Sequence, residues 1–124
     1  MHRMPQAEIS WEGNSLDVLR GFPDAVRQNL GFQLRLLQRG EQPTDYRAMT
    51  SVGAGVFELR DEDEKGWYRV IYLSRTDNVI YVLHCFRKTT RKTANRDLRV
   101  AEQRLKLVHQ RVREMRQNAK QKQK

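Results

Sequence analysis

Side chains that could catalyse phosphoryl transfer recur at alternate positions of three neighbouring apolar strands. The first strand carries Glu58, the second carries Arg69, and the third carries His84, Phe86 and Lys88. Alternate residues of a strand point to the same face of a sheet. If the three strands lie side by side with these residues on one face, an exposed concave surface collects a carboxylate, cations, an imidazole and an aromatic ring. Such a set suits the stabilisation of a charged phosphate transition state and the transfer of protons to and from it.

Arg69 is the strongest catalytic candidate because of its position within an apolar strand. Its neighbours Tyr68, Val70 and Ile71 make a guanidinium group costly to bury without an anionic partner, and its planar fork suits a phosphate. A salt bridge to Glu58 across the strands would also satisfy Arg69. Both arrangements can exist in the free protein.

The other candidates for catalysis or stacking each have an alternative role. Lys88 is a cationic catalytic candidate or an ordinary solvated strand end. Glu58 is a candidate general base. His84 is a candidate acid or base, or a hydrogen-bonded framework histidine. Phe86 stacks on a base or packs in the core.

Five further cations are predicted to contact the phosphates of a bound RNA. They lie in the loop before the three strands, at the end of the first strand, and in the basic cluster around the end of the third: Arg47, Arg60, Arg87, Arg91 and Lys92. Of the two adjacent cations at the end of the third strand, Lys88 lies on the catalytic face and Arg87 does not.

The net charge of +9 is concentrated in the last third of the chain. Residues 1–86 contain 10 Lys or Arg and 12 Asp or Glu, a net charge of −2, whereas residues 87–124 contain 14 and 3, a net charge of +11. This asymmetry favours a polyanionic partner, either nucleic acid or the ribosome, over a small acidic substrate. The alternative is a solvated basic helix with a disordered tail that keeps the protein soluble.

No metal site or cofactor is predicted. His2, His84 and His109 are far apart in the sequence and lack a paired ligand at metal spacing. Cys85 lies in an apolar strand, where a free cysteine behaves as a small buried hydrophobic residue.

No apolar run approaches the roughly 20 residues that span a bilayer, and the first residues lack the hydrophobic region of a signal peptide. A soluble, cytoplasmic protein is therefore expected.

The pattern of apolar residues predicts a single domain of the α+β class over residues 1–117, with its core over about 8–105. A small, mostly antiparallel sheet combines a short N-terminal strand with a three-strand meander, and two N-terminal helices pack on it. Asn14 or Ser15 caps the first helix, and the second begins at Pro23 and ends at Gly40. Residues 41–53 form a loop. The predicted strands are 7–11, 55–60, 67–74 and 79–87, with a turn at residues 76–78.

A long basic helix is predicted at the C-terminus. Its apolar residues follow a seven-residue repeat with one seam: Leu98, Ala101, Leu105, Val108, Val112 and Met115. The first half of the seam can pack on the domain's own core, and the rest can continue into solvent, a second chain or another protein. Residues 118–124 lack apolar side chains and are predicted to be a disordered basic tail.

With these elements in order, the chain resembles the RelE/HigB superfamily of toxins, in its phage-related HigB-like branch. The residues that carry the resemblance are Trp11, Phe22-Pro23, Leu37-Gln38-Arg39-Gly40, Phe57-Glu58-Leu59-Arg60, Tyr68-Arg69-Val70-Ile71-Tyr72, Leu83-His84-Cys85-Phe86-Arg87-Lys88 and Lys92-Thr93. Each segment is weak by itself, but their order and spacing together are specific.

The resemblance implies the toxin of a type II toxin–antitoxin module. Such a toxin is a ribosome-dependent endoribonuclease that cuts messenger RNA without a metal, by attack of the ribose 2′-hydroxyl on the adjacent phosphate, and a cognate helix-turn-helix antitoxin neutralises it. The resemblance also implies a cationic catalytic residue near Lys88. Many relatives carry a catalytic tyrosine or histidine near the C-terminus, whereas this chain has no tyrosine after Phe86 and only His109, so no general acid is assigned.

Two functions of other classes remain open from the sequence. The same basic face could bind RNA or the ribosome without cleaving it, or the seam of the C-terminal helix could be the working surface of a protein-interaction domain.

Overall fold

The computed structural model describes residues 5–90, 92 and 94–122, and this part of the chain contains five strands and three helices. In chain order they are β1 (Glu8–Trp11), α1 (Ser15–Arg20), α2 (Asp24–Gln38), β2 (Tyr46–Ala48), β3 (Val56–Asp63), β4 (Gly66–Thr76), β5 (Val79–Lys88) and α3 (Asn95–Lys122). The predicted α+β class, with its mostly antiparallel sheet and long C-terminal helix, is confirmed.

The five strands form one sheet in the order β1-β5-β4-β3-β2. β1 pairs with β5 in parallel, and the other neighbours are antiparallel. Helices α1 and α2 pack on one face of the sheet, and α3 packs on the other, so the sheet separates two apolar cores. Both faces of the central strands are therefore buried.

Helix α2 forms where its sequence predicts it. Val26, Leu30 and Leu34 are spaced one turn apart and are buried against the sheet. Pro23 precedes the first turn, and Gly40 follows the helix with a φ of 80°, a left-handed conformation that glycine adopts without a steric penalty.

Strand β2 lies within the segment that the sequence predicts to be a loop. Tyr46 pairs with Leu59 and Ala48 pairs with Phe57, so β2 adds a short edge strand next to β3. All three β2 residues are exposed. A strand this short, with no buried face, has no apolar alternation by which the sequence could reveal it.

The predicted alternation of side chains is wrong in the first half of β5. Strict alternation along the whole strand would place Ile80 and Val82 on the face of Phe86, but Ile80 and Val82 lie in the core under α1 and α2, and Phe86 lies in the core under α3. A β-bulge causes the change, because the pairing with β4 shifts there and leaves Leu83 as an extra residue. Beyond the bulge, the predicted face is correct.

Two residues with positive φ close the hairpin between β4 and β5. Asp77 has a φ of 50° and Asn78 a φ of 63°. This conformation matches a two-residue hairpin turn, for which Asp and Asn are favoured after Gly. The predicted turn position is correct.

Helix α3 buries most of the predicted seam on the chain's own sheet. Ala101, Leu105, Val108 and Val112 are buried, whereas Met115 is 53% exposed. The helix also continues past residue 117 to Lys122, because its last turns contain no glycine or proline to end it. The predicted disordered tail is thus helical as far as Lys122, and residues 123 and 124 lie outside the described part of the chain.

Candidate functional site

A cleft of about 740 Å³ opens on the α3 side of the sheet. Its floor consists of β3, β4 and the end of β5, and its rim includes residues 48–51 and the first turn of α3 at Leu98. Five basic side chains line it, namely Arg47, Arg60, Arg69, Lys88 and Lys92. Four acidic side chains also line it, namely Asp45, Glu58, Asp61 and Glu62.

Arg69 lies on the floor of the cleft and is only 7% exposed. Its Nη1 donates hydrogen bonds to the backbone oxygens of Tyr68 at 3.0 Å and Asp61 at 3.3 Å. Its Nε lies 3.5 Å from Oε1 of Glu58 but has no hydrogen-bond partner among the described residues. Burial lowers the pKa of Arg69, and the charge of Glu58 opposes this effect. The predicted salt bridge to Glu58 and the predicted cleft position of Arg69 therefore occur together.

Arg60 and Arg69 are directly opposite each other on β3 and β4. Like charges in this arrangement repel, and Arg60 is one cause of the lowered pKa of Arg69. Asp45 offsets part of the repulsion through hydrogen bonds from Arg60 at 2.9 and 3.1 Å. Two guanidinium groups held side by side form a favourable place for a bound anion such as phosphate.

Lys88 lies at the end of β5, opposite Trp67 of β4, and both line the cleft. Burial lowers the pKa of Lys88 below its usual 10.5, the nearby charge of Arg69 lowers it further, and the charge of Glu58 opposes this effect. A lysine with a lowered pKa gives up its proton more readily than an ordinary surface lysine. Lys88 is thus a partly buried cation beside Arg69.

His84 does not line the cleft. Its Nε2 lies 2.8 Å from Oδ1 of Asp97 in the first turn of α3, and its ring stacks on Phe86 with a centroid distance of 4.9 Å. Burial lowers the pKa of His84, and the hydrogen bond with Asp97 opposes this effect. These contacts favour the framework role over the role of acid or base. His84 connects the sheet to the start of α3.

Phe86 is 6% exposed and lies in the core under α3. Its ring is therefore not available on the surface to stack on a base, and the core alternative applies.

Arg87 points away from the cleft, and its Nη2 donates to the backbone oxygen of Lys65 at 2.8 Å. Arg47 and Lys92 are exposed and line the cleft, and their contact with RNA phosphates stays a prediction. Arg91 lies outside the described residues.

Several residues of the site were not assigned from the sequence. Trp67 is on the face of Arg69, and the same alternation that located Arg69 could have located it. Asp61 and Glu62 lie beyond the end of the predicted strand 55–60, but β3 extends through them to Asp63 and places them at the rim. No sequence signal marks the contact between His84 and Asp97, because it depends on how α3 crosses the sheet.

Among residues 5–90, 92 and 94–122, no group of three or more His, Cys, Asp or Glu side chains is placed to hold a metal ion. Within the same residues, no helix is long and apolar enough to cross a membrane.

Cys85 is buried, and burial raises the pKa of its thiol to about 12. The thiol is therefore a packing group, as predicted.

The chain matches the model of a known protein family. Its description is phage-derived protein Gp49-like (DUF891), and its model matches residues 17–106. This range begins in α1 and ends within α3, so it includes every residue described above as lining the cleft. No curated protein matches the chain.

Proposed function

The chain belongs to the phage-derived Gp49-like family, which is associated with toxin–antitoxin modules, and from this premise we propose that it is a toxin that cuts messenger RNA on the ribosome. The finer assignment, to the HigB-like branch of the RelE/HigB superfamily, rests on the sequence resemblance. The observation that carries the proposal is the buried Arg69 on the floor of a cleft that also contains Lys88.

The proposed reaction uses the RNA's own 2′-hydroxyl as the nucleophile. The 2′-oxygen bonds to the neighbouring phosphorus, the bond between phosphorus and the 5′-oxygen breaks, and the products carry a 2′,3′-cyclic phosphate and a 5′-hydroxyl. The 2′-hydroxyl loses a proton and the 5′-oxygen gains one. Negative charge grows on the phosphate oxygens in the transition state, which is where fixed cations stabilise it most.

Arg69 and Lys88 are the proposed catalytic residues. The guanidinium of Arg69 is fixed by its backbone hydrogen bonds and by Glu58, so it is oriented before the phosphate arrives. Lys88 adds a second cation, and its lowered pKa makes its ammonium a better proton donor to the 5′-oxygen. The exposed Arg47 and Lys92, with Arg60, would contact flanking phosphates.

Glu58 and His84 are better supported as positioning residues. Glu58 lines the floor, but its side chain is buried beside Arg69, so its general-base role stays a prediction. His84 acts through Asp97 on the first turn of α3, which borders the cleft at Leu98.

The proposed partners are the ribosome with its messenger RNA and a cognate antitoxin. The association of the family with toxin–antitoxin modules supports an antitoxin partner. The five cleft cations and the basic C-terminal third support an RNA partner. The helix-turn-helix class of the antitoxin rests on the resemblance alone.

The proposal is tested by primer extension on a defined messenger RNA in a bacterial translation system, with and without ribosomes. Arg69→Lys is the informative variant, because it keeps a cation beside Glu58 and removes the planar fork. We expect cleavage that requires ribosomes and falls by roughly 10²-fold in the variant. No cleavage under conditions where ribosome binding is demonstrated would contradict the proposal.

A second candidate function is RNA or ribosome binding without cleavage. It is favoured by the position of His84, because an imidazole held away from the cleft leaves the site without its most common proton-transfer group. In a binding module, replacing each cleft cation by alanine lowers ribosome affinity in modest and roughly equal steps. In the enzyme, replacing Lys88 lowers the cleavage rate far more than the affinity.

A further inference from the structure

A regular row of polar side chains runs along the solvent face of α3. Arg99, Lys106, Arg113 and Lys120 recur every seven residues, and a glutamine lies between each consecutive pair, at positions 103, 110 and 117. All seven side chains are exposed. Because successive members are three or four residues apart, they lie on one face of the helix. At 1.5 Å per residue, the row from Arg99 to Lys120 is roughly 30 Å long.

Three other cations of α3 have partners within the domain. Arg104 donates to the backbone oxygen of Leu83 at 2.9 Å, Arg111 pairs with Glu12 at 2.6 Å, and Arg116 pairs with Asp77 at 2.9 Å. The four cations of the row make no ion pair with any residue in the described ranges 5–90, 92 and 94–122. None of these four cations is therefore neutralised by an ion pair within the described part of the chain.

The row is presented on a fixed support. Leu105, Val108 and Val112 are buried under the opposite side of the helix, and the pair between Arg116 and Asp77 attaches its later turns to the β4–β5 hairpin. The helix begins beside the cleft, since Leu98 lines it. The row thus starts near the edge of the cleft and runs away from it along the helix.

We propose that this row binds the sugar–phosphate backbone of a double-helical RNA beside the site of cleavage. The cations match phosphates, and the glutamine amides can donate hydrogen bonds to phosphate or 2′-hydroxyl oxygens. A straight row without a pocket is suited to the shape of a duplex rather than to its sequence. This inference deepens the proposed function and rests on it for the identity of the RNA, which would be ribosomal.

A protein partner fits the row less well. Protein interfaces derive most of their affinity from aromatic or apolar anchors buried at the centre of the contact. Every member of the row is a cation or a glutamine, and Leu107 is the one large apolar side chain exposed between the positions of Gln103 and Gln110, so the row itself offers no such anchor. Binding that depends almost wholly on charge is characteristic of a polyanion.

The test measures binding of the full-length protein to a labelled RNA duplex of about 16 base pairs, a length that duplex-binding domains span. The variant carries Arg99→Gln, Lys106→Gln and Arg113→Gln. The matched control carries Arg20→Gln, Arg35→Gln and Arg39→Gln, which remove the same charge from exposed positions on α1, on α2 and just after α2. Circular dichroism and thermal melting establish that both variants fold as the wild type does.

We expect the row variant to bind the duplex roughly 10- to 100-fold more weakly. The slope of log K against log salt concentration should be less steep by about 2 to 3, because three cations are removed. The control should keep the wild-type slope. Equal slopes in the two variants would overturn the proposal and leave the row as a solvated face or a protein contact. Stronger binding to a single strand of the same length, with the same loss in the row variant, would overturn the duplex assignment.

This binding experiment does not depend on cleavage. A failure of the row to bind duplex RNA would leave ribosome-dependent cleavage, and with it the proposed function, unaffected. A protein that binds duplex RNA through the row but does not cut messenger RNA would contradict the proposed function alone.

Discussion

The Nε atom of Arg69 lies 3.5 Å from Oε1 of Glu58, and both side chains are almost completely buried at the floor of the cleft. Removing one member of a buried ion pair leaves the other charge without compensation, which costs more than the pair itself contributes. We expect Glu58→Ala to lower the free energy of unfolding by about 3–5 kcal/mol in urea titrations. Glu64→Ala, in the exposed turn between β3 and β4, is the control and should change it by less than about 0.5 kcal/mol. Equal effects of the two variants would contradict the buried pair.

The burial of His84 predicts a pH dependence of stability, which the hydrogen bond with Asp97 only partly offsets. Burial lowers the pKa of His84 below its usual 6.5 in the folded protein, so the unfolded chain takes up a proton at a higher pH than the folded one. Protonation of the unfolded chain then favours unfolding. The contribution of neutral His84 to the free energy of unfolding is therefore fully present above pH 6.5. It is lost as the pH falls towards the lower pKa of His84 in the folded protein.

The measurement compares urea unfolding of the wild type and His84→Gln at pH 7.5 and pH 5.5. Other titrating groups are common to both proteins, so the difference isolates His84. The wild type should lose more stability on acidification than the variant. A parallel loss in both would mean that the pKa of His84 is not lowered by folding.

The seam of α3 predicts a contrast between two nearby leucines. Leu105 is 6% exposed and packs under the helix, whereas Leu107 is 57% exposed. Leu105→Ala should destabilise the protein by about 2–5 kcal/mol through lost burial and the remaining cavity. Leu107→Ala should have a small effect, within about 0.5 kcal/mol. Similar midpoints of thermal unfolding for the two variants would mean that α3 does not pack on the sheet as described.

Elements with a strong apolar period could be predicted from the sequence. The stripe of α2 and the seam of α3 repeat at helical spacing over several turns, so each has one possible buried face. The hairpin turn at Asp77 and Asn78 carries residues suited to positive φ. The pairing of Glu58 with Arg69 followed from alternation on adjacent strands and the cost of burying a guanidinium.

Features without a local signal could not be predicted. The extra residue of the β5 bulge, Leu83, is apolar like Val82 before it. Nothing in the composition therefore marks the point at which the face of the strand changes. The burial of Phe86 and the contact of His84 with Asp97 depend on where α3 crosses the sheet. That crossing is a tertiary property, and it removes two predicted site residues from the cleft while leaving Arg69 and Lys88 within it.

The most direct test of the catalytic cleft is single-turnover cleavage of ribosome-bound messenger RNA by Lys88→Ala, with Lys92→Ala as the matched control. Both lysines line the cleft, but Lys88 is partly buried beside Arg69 whereas Lys92 is exposed, and burial lowers the pKa of Lys88. At saturating protein, we expect Lys88→Ala to cleave about 10²- to 10⁴-fold more slowly, with little change in ribosome affinity. Lys92→Ala should bind more weakly and cleave at the wild-type rate once saturated. A wild-type cleavage rate for saturating Lys88→Ala would contradict a catalytic role for this cleft.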